Sequence, residues 1–266
     1  MTWEWDESLF AGTAAHYAVG RMPYPPALVD AVRDALGLDG TGRLLDVGCG
    51  PGSLTILLAP LFAEAVGVDA DPEMVAEARR AAPSIEWRRL RGEELPADLG
   101  IFRAVVFAQS FHWMDQPLVA DRVRGMLEED GAWVHVGATT HRGVEDARAL
   151  PFPRPPWDRI DALVASYLGP LRRAGAGTLP DGTRGGEEDV MRAAGYRGPQ
   201  RIVVPRGEVV ERTTDDVVDA VLSLSGSAPH LFGDRLGAFV DDLRDVLGAG
   251  PFAERTRDVE LVIWRP

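Results

Sequence analysis

Two periodicities run along the first half of the chain. Apolar residues recur every three or four positions over 26–38, 53–62, 71–82 and 117–127, which predicts four amphipathic helices. Between them lie short, nearly continuous apolar runs at 43–48, 65–70, 85–92, 102–110 and 131–139, which predict buried strands. The helix over 71–82 carries its own start signal: Asp71 as N-cap, Pro72 in the first helical position and Glu73 in the first turn. Strands alternating with helices predict an α/β fold, a doubly wound, mostly parallel sheet covered by helices on both faces.

The texture changes after Thr140. A proline-rich stretch (150–160) and a glycine-rich one (171–189) flank a helical pattern at 157–171, and residues 141–188 read as a lid or substrate insertion. Regular patterns resume with a helix near 188–196, a strand over 200–210, helices over 213–224 and 234–248, and a last alternating strand over 252–266. The expected organisation is one domain: a helical cap at 1–40, a binding core at 41–140, the lid at 141–188, and C-terminal strands and helices over 189–266 that complete the sheet. No internal repeat is visible.

Composition narrows the chemistry. The chain has 266 residues, 45% of them hydrophobic, enough to bury a large core. Cys49 is the single cysteine, which excludes an intrachain disulfide and a cysteine-based zinc site. The net charge of -13 disfavours nucleic acid as a partner. No apolar run approaches the roughly 18 residues that span a bilayer, and the acidic N-terminus lacks a secretion pattern, so a cytoplasmic chain with no membrane partner is expected. The five histidines show no metal-ligand spacing, so no metal is expected. All 28 basic residues are arginine, and the missing lysine excludes a P-loop.

The most informative stretch is "RLLDVGCGPGSLTILLAP", residues 43–60. A strand ends in Asp46, a loop follows with Gly48, Gly50 and Gly52, and a helix begins. In an open parallel sheet, ligands bind at this edge. The dinucleotide fingerprint would need glycine where Ser53 stands. Asp46, read as pointing into the crevice, would repel a pyrophosphate and welcome a cation. S-adenosylmethionine offers a sulfonium, an ammonium and a ribose. Asp69, at the end of the second strand, is placed to accept both ribose hydroxyls.

"LLDVGCGPG" and "VGVDADPEMV" resemble the first two motifs of the class I S-adenosylmethionine-dependent methyltransferases. "RGEELP" is similar to their adenine-holding loop, and "FAQSFHWMD" to the segment after their fourth strand. "FAGTAAHYAVGRMPYPPAL" resembles a cap found in a bacterial subset, in which a tyrosine and an arginine approach the methionine end of the cofactor. The resemblance covers about residues 10–140 and implies a seven-stranded sheet with an antiparallel last strand beside the fifth. It implies a cofactor set of Tyr17, Arg21, Asp46, Gly48, Cys49, Gly50, Gly52, Asp69, Ala70, Gly92, Glu93, Ala108 and Gln109, with Arg21 paired to the cofactor carboxylate.

The implied reaction is methyl transfer from S-adenosylmethionine to an O, N or C nucleophile of a small molecule, such as a natural product. His112, after the fourth strand and between Phe111 and Trp113, is the candidate general base. His16 and His230 are weaker candidates for the pocket. Aromatic residues gathered in the cap, the loop after the fourth strand and the lid read either as glue between these parts or as a pocket for a flat acceptor. Two further readings stay open: the same fold holding S-adenosylmethionine for a non-methylating reaction such as a cyclisation, and a nicotinamide-dependent oxidoreductase, which Ser53 and Asp46 oppose. The expected partner is a small-molecule substrate, with a homodimer left open.

Overall fold

The computed structural model describes residues 8–145, 147–171, 173, 174, 177, 178 and 186–266. Its centre is a seven-stranded sheet in the order β3-β2-β1-β4-β5-β11-β8. The strands are β1 (Arg43–Val47), β2 (Glu64–Asp69), β3 (Glu86–Arg89), β4 (Phe102–Ala108), β5 (Leu127–Gly137), β8 (Arg197–Val204) and β11 (Val259–Arg265). β1, β2, β3, β4 and β5 pair in parallel; β11 runs antiparallel to both β5 and β8. The expected sheet and its inserted last strand are therefore present.

The helices of the first half form where the apolar spacing predicts them. α2 (Ala27–Leu36) turns Leu28, Val32 and Leu36 inward and ends on Gly37, whose φ of 60° is the left-handed conformation glycine adopts freely. In α4 (Pro72–Ala81) the Asp71 carboxylate accepts from the Glu73 and Met74 amides, as its sequence signal predicts. α2 and α3 (Ser53–Leu58) cover one face of the sheet, over Leu44, Val106 and Val134. α5 (Gln116–Arg124) and α7 (Glu187–Ala193) cover the other, over Leu45, Phe107 and Trp133.

The second half departs from the expected pattern. The strand predicted over 200–210 is two strands, and the break falls at Pro205, which has no amide to donate to a ladder. β8 stops at Val204, and β9 (Val209–Arg212) pairs antiparallel with β10 (Phe252–Arg255) in a separate sheet. The predicted final strand is likewise split into β10 and β11. Of the segment read as a lid, residues 146, 172, 175, 176 and 179–185 lie outside the described residues. A two-residue pairing joins β6 (Arg173–Ala174) to β7 (Gly177–Thr178). The rest supplies α6 (Trp157–Leu168), which joins α8 (Thr214–Leu222), the short α9 (Pro229–Phe232) and α10 (Leu236–Leu247) in a second core. Phe232 and Phe239 stack at 4.0 Å in its centre. α8 and α10 thus pack with α6 rather than completing the main sheet.

This second core holds the N-terminal cap. α1 (Ala14–Gly20) lies against α8 so closely that a Cβ on Gly20 would fall 2.3 Å from the Ala220 amide nitrogen. His16 Nδ1 is 2.7 Å from Asp219 Oδ1 on α8. A buried ion pair, Arg212 to Glu254 at 3.0 Å, ties β9 to β10 beneath the end of α1. Among the described residues no helix is long and apolar enough to cross a membrane.

Candidate functional site

The carboxyl ends of β1, β2, β3, β4 and β5 open into a cavity of about 310 Å³, roofed by α1 and the turn after it. Each wall follows from the topology. Neighbouring parallel strands all deliver their next loops to this edge, where polar backbone is left without ladder partners. The loop after β1 is tied to β2 by the Gly48 and Cys49 amides, both donating to the Val68 carbonyl. Gly48 has φ +71°, and a Cβ there would fall 2.5 Å from the Ser110 Cβ, so the loops after β1 and β4 touch only because residue 48 is glycine. Gly50, at φ +54°, has no atom within 4 Å of where a Cβ would stand; it borders open cavity. Gln109 holds φ +56° without being glycine, the kind of backbone strain concentrated at functional sites.

Eleven of the sequence-predicted residues line this one cavity: Tyr17, Arg21, Gly48, Cys49, Gly50, Asp69, Ala70, Gly92, Glu93, Ala108 and Gln109. Asp69 accepts from the Gly50 amide with one carboxylate oxygen (2.8 Å) and from the Asp71 amide with the other (2.9 Å). Each oxygen keeps a lone pair. Arg21 stacks over Tyr17 at 4.3 Å and donates to the Ser223 hydroxyl, the Ser223 carbonyl and the Thr140 hydroxyl. All these partners are neutral; among the described residues no carboxylate pairs with Arg21. Glu93 is partly engaged, since its carboxylate accepts from the Asp115 amide at 2.8 Å. Phe10 of the cap meets Trp113 edge to face at 5.4 Å, closing the roof with two aromatic residues.

Three expectations are corrected. Asp46 does not line the cavity. Strand alternation puts it on the same face as Leu44, toward α3, where it is fully buried and accepts from the Thr55 hydroxyl at 2.6 Å. Its Oδ1 has no partner. Gly52 also stands off the cavity: it begins α3, and a Cβ there would fall 2.5 Å from the Trp87 ring, so its smallness serves packing. His112, the expected base, faces a second cavity instead, with His135, Glu187 and Arg201. Its 3-10 turn, Phe111–Trp113, directs Trp113 into the first cavity and His112 away from it. Of the weaker histidines, His16 is held by Asp219, and His230 Nδ1 is 3.2 Å from the Ala11 carbonyl oxygen.

Burial governs the charges. It raises Asp46 to a pKa of about 7 and Asp69 to about 6, against the hydrogen bonds each accepts, which pull downward, and with smaller upward pushes from the charges of Asp69 and Asp71 respectively. Burial, with Tyr17 and Asp46 nearby, raises the Tyr24 phenol, and burial raises the Cys49 thiol. His112 falls to about 4 by burial alone. Gly20, Ser223, Ser110 and Met114 also shape the site and carry no sequence signal. Met114, for instance, packs so tightly on Gly92 that a Cβ there would fall 2.6 Å from its sulfur. Among the described residues no group of histidine, cysteine and acidic side chains is arranged to hold a metal.

Residues 44–131 match a family profile described as a methyltransferase domain. An uncharacterised methyltransferase of Mycobacterium tuberculosis is 35% identical over 127 residues, covering 47% of this chain and 51% of that protein. A trans-aconitate 2-methyltransferase of Azoarcus is 40% identical over 85 residues, 29% of this chain and 34% of its own. The chain thus spans about half the length, or less, of the curated relatives it matches. Among solved structures, the cyclase SpnF shares the fold at a TM-score of 0.50 and 16% identity, over 99% of this chain and 85% of that one. Residues 44–131 are thus similar to a methyltransferase domain, in line with the resemblance that the first two motifs carry.

Proposed function

We propose that the first cavity binds S-adenosylmethionine and that the protein transfers its methyl group to a small molecule bearing an O, N or C nucleophile. The observation that carries this reading is that one cavity joins a carboxylate with spare lone pairs, Asp69, to a guanidinium without an acidic partner, Arg21. A zwitterionic ligand with a ribose matches both. The space bordered by Gly50 supports the fit.

When bound, the cofactor supplies a methyl group already activated by sulfonium charge. The chain's own residues then have three tasks. Asp69 takes the ribose hydroxyls. Arg21, held flat by Tyr17 and Ser223, takes the carboxylate bidentately. Phe10, Tyr24 and Trp113 exclude water and fix the approach. No histidine lines this cavity, and the raised Tyr24 phenol stays protonated at neutral pH. Alignment, rather than proton abstraction, therefore carries the rate in this reading.

Both raised carboxyl groups give the reading a pH signature. Each has a folded pKa above its unfolded value of 3.8, so each weakens the ligand-free fold as pH rises through 6 to 7. A cationic ligand that prefers the ionised forms binds more tightly over the same rise. Affinity for S-adenosylmethionine is expected to climb by about tenfold or more between pH 5.5 and 8 and then level off, with protons released on binding. Calorimetry in two buffers of different ionisation enthalpy measures both; a flat profile without proton release would remove the role of these carboxylates.

The functional test is a calorimetric titration with S-adenosylmethionine, S-adenosylhomocysteine and NAD. Micromolar binding of the first two and none of NAD is expected; binding of NAD alone would overturn the proposal. Mass spectrometry of candidate acceptors then separates methyl transfer from a cyclisation in which the cofactor keeps its methyl.

A further inference from the structure

The first cavity has two chemically different ends. The loops after β2 and β3 bring Asp69, Arg91 and Glu93 to one end, and the cap brings Tyr17, Arg21, Pro23 and Tyr24 to the other. Both ends belong to one cavity, so an acceptor at the cap end shares its space with the cofactor.

Among the described residues, the cap end has no side chain that can take a proton. Asp69 and Glu93 stand at the far end and already accept backbone amides. Burial keeps the Tyr24 phenol and the Cys49 thiol protonated at neutral pH. A hydroxyl or an ammonium that attacked a methyl group here would find no base for its proton. A carboxylate, with an ordinary pKa of about 4, is ionised before it arrives.

The same end offers donors. The Tyr24 hydroxyl and the Gln109 side-chain amide line the cavity and make no hydrogen bond with any described residue. A phenol that stays protonated can donate to an anionic oxygen. Arg21 is near enough to act on that phenol electrostatically, which adds positive potential. Beside these donors the lining is apolar and accessible: Ala18 and Pro23 are exposed, and Leu57 is half-buried. Val19, which follows Ala18, is 60% exposed, and Ile56, which precedes Leu57, is 36% exposed.

We infer that the acceptor is an apolar monocarboxylic acid, with its carboxylate on the Tyr24 hydroxyl and its tail leaving the cavity along Leu57, Pro23 and Ala18. The inference rests on the reading of this cavity as the cofactor site. One carboxylate oxygen accepts from Tyr24. A lone pair of the other forms the new O–CH₃ bond, while the S–CH₃ bond breaks with its electron pair left on sulfur. The products are a methyl ester and S-adenosylhomocysteine. A negative oxygen and a positive sulfur neutralise each other, and no proton is released, which is why the site needs no base.

Four probes test head and tail separately: octanoate, 1-octanol and octylamine share a tail, and adipate ends its chain in a second carboxylate. Binding to the intact protein loaded with S-adenosylhomocysteine is followed by ligand-observed NMR. Octanoate is expected to bind more tightly than the other three by about tenfold or more. Tyr24→Phe, which keeps the ring, is expected to weaken octanoate by about tenfold or more. Its affinity for S-adenosylhomocysteine, within twofold of wild type, reports that the variant is folded. With S-adenosylmethionine, mass spectrometry should show methyl octanoate, and an indicator dye should show no proton released during turnover. Methylation of octanol or octylamine, which would release a proton, overturns the inference. So does adipate binding as tightly as octanoate, octanoate binding untouched by Tyr24→Phe, or no octanoate binding at all. If wild-type protein fails to bind S-adenosylhomocysteine, the cofactor reading falls and the acceptor assignment falls with it, whereas failure of the probes alone leaves the cofactor reading standing.

Discussion

Glu254→Ala is expected to lower stability by about 3–5 kcal/mol, a fall in Tm of roughly 10 °C or more for a chain of this size. Glu254 is fully buried, and each of its oxygens is used. One accepts from the Gly143 amide at 2.9 Å and from the Trp157 indole at 2.7 Å; the other faces Arg212 at 3.0 Å. Truncation orphans two donors and leaves a guanidinium only 3% exposed without its counter-charge. Glu254→Gln keeps an acceptor for Gly143 and Trp157 and is expected to lose less than the alanine variant, which separates the charge from the hydrogen bonds. The damage would not stay local. Arg212 also donates to the carbonyls of Gly20, His141 and Asp216, so it fixes the end of α1 and the start of the 141–143 turn. Cofactor affinity should fall with Tm, because Tyr17 and Arg21 ride on that end. An alanine variant melting within 2 °C of wild type would show that the pair is not what joins the cap to the second core.

The first half of the chain was legible because its signals are local. Asp71 caps its helix within three residues, Gly37 ends one by its own backbone freedom, and β1 is an apolar run buried on both faces. Most of the cavity lining was legible for the same reason, since loops after neighbouring parallel strands must converge. The second half failed where the deciding partner lies far away in sequence. Pro205 marks a break in a strand, but nothing nearby says that β9 will leave the main sheet to pair with β10, some forty residues later. α6, α8 and α10 have ordinary amphipathic patterns, and a pattern states that a face is buried without stating against what.

The site shows the same limit at the level of single side chains. Asp46 and His112 carry the right chemistry at the right strand ends. Direction decided otherwise: alternation along β1 turns Asp46 toward Thr55, and a single 3-10 turn places His112 and Trp113 on different cavities. Gly20 reads as one more glycine in a helix, an unfavourable residue there. Its reason is the backbone of α8 at 2.3 Å from a would-be Cβ, a contact between residues two hundred positions apart.

Asp69→Ala should leave the fold intact and remove cofactor binding, the reverse of the Glu254 result. In the proposed complex Asp69 accepts two ribose hydroxyls, and hydrogen bonds to a charged group contribute about 1.5–3 kcal/mol each. Loss of both weakens binding by about 100-fold or more. The Gly50 amide, released from its 2.8 Å bond, also frees the loop that borders the cavity. Stability is expected to change little at pH 8. The two lost backbone bonds are offset by removing a carboxylate whose burial raises its pKa to about 6, and which is therefore costly to keep ionised in the ligand-free fold. Asp69→Asn should be nearly as damaging to binding. An amide side chain has one acceptor oxygen, so it cannot accept from both the Gly50 and Asp71 amides, and its NH₂ would face one of them. Thermal melts read both effects at once. Saturating S-adenosylmethionine at about 100 times its Kd stabilises wild type by about 2.7 kcal/mol, whereas the alanine variant should melt near the ligand-free wild-type temperature with or without it. If the variant were stabilised by the cofactor as strongly as wild type, Asp69 would not hold the ribose, and the zwitterion reading of the cavity would rest on Arg21 alone.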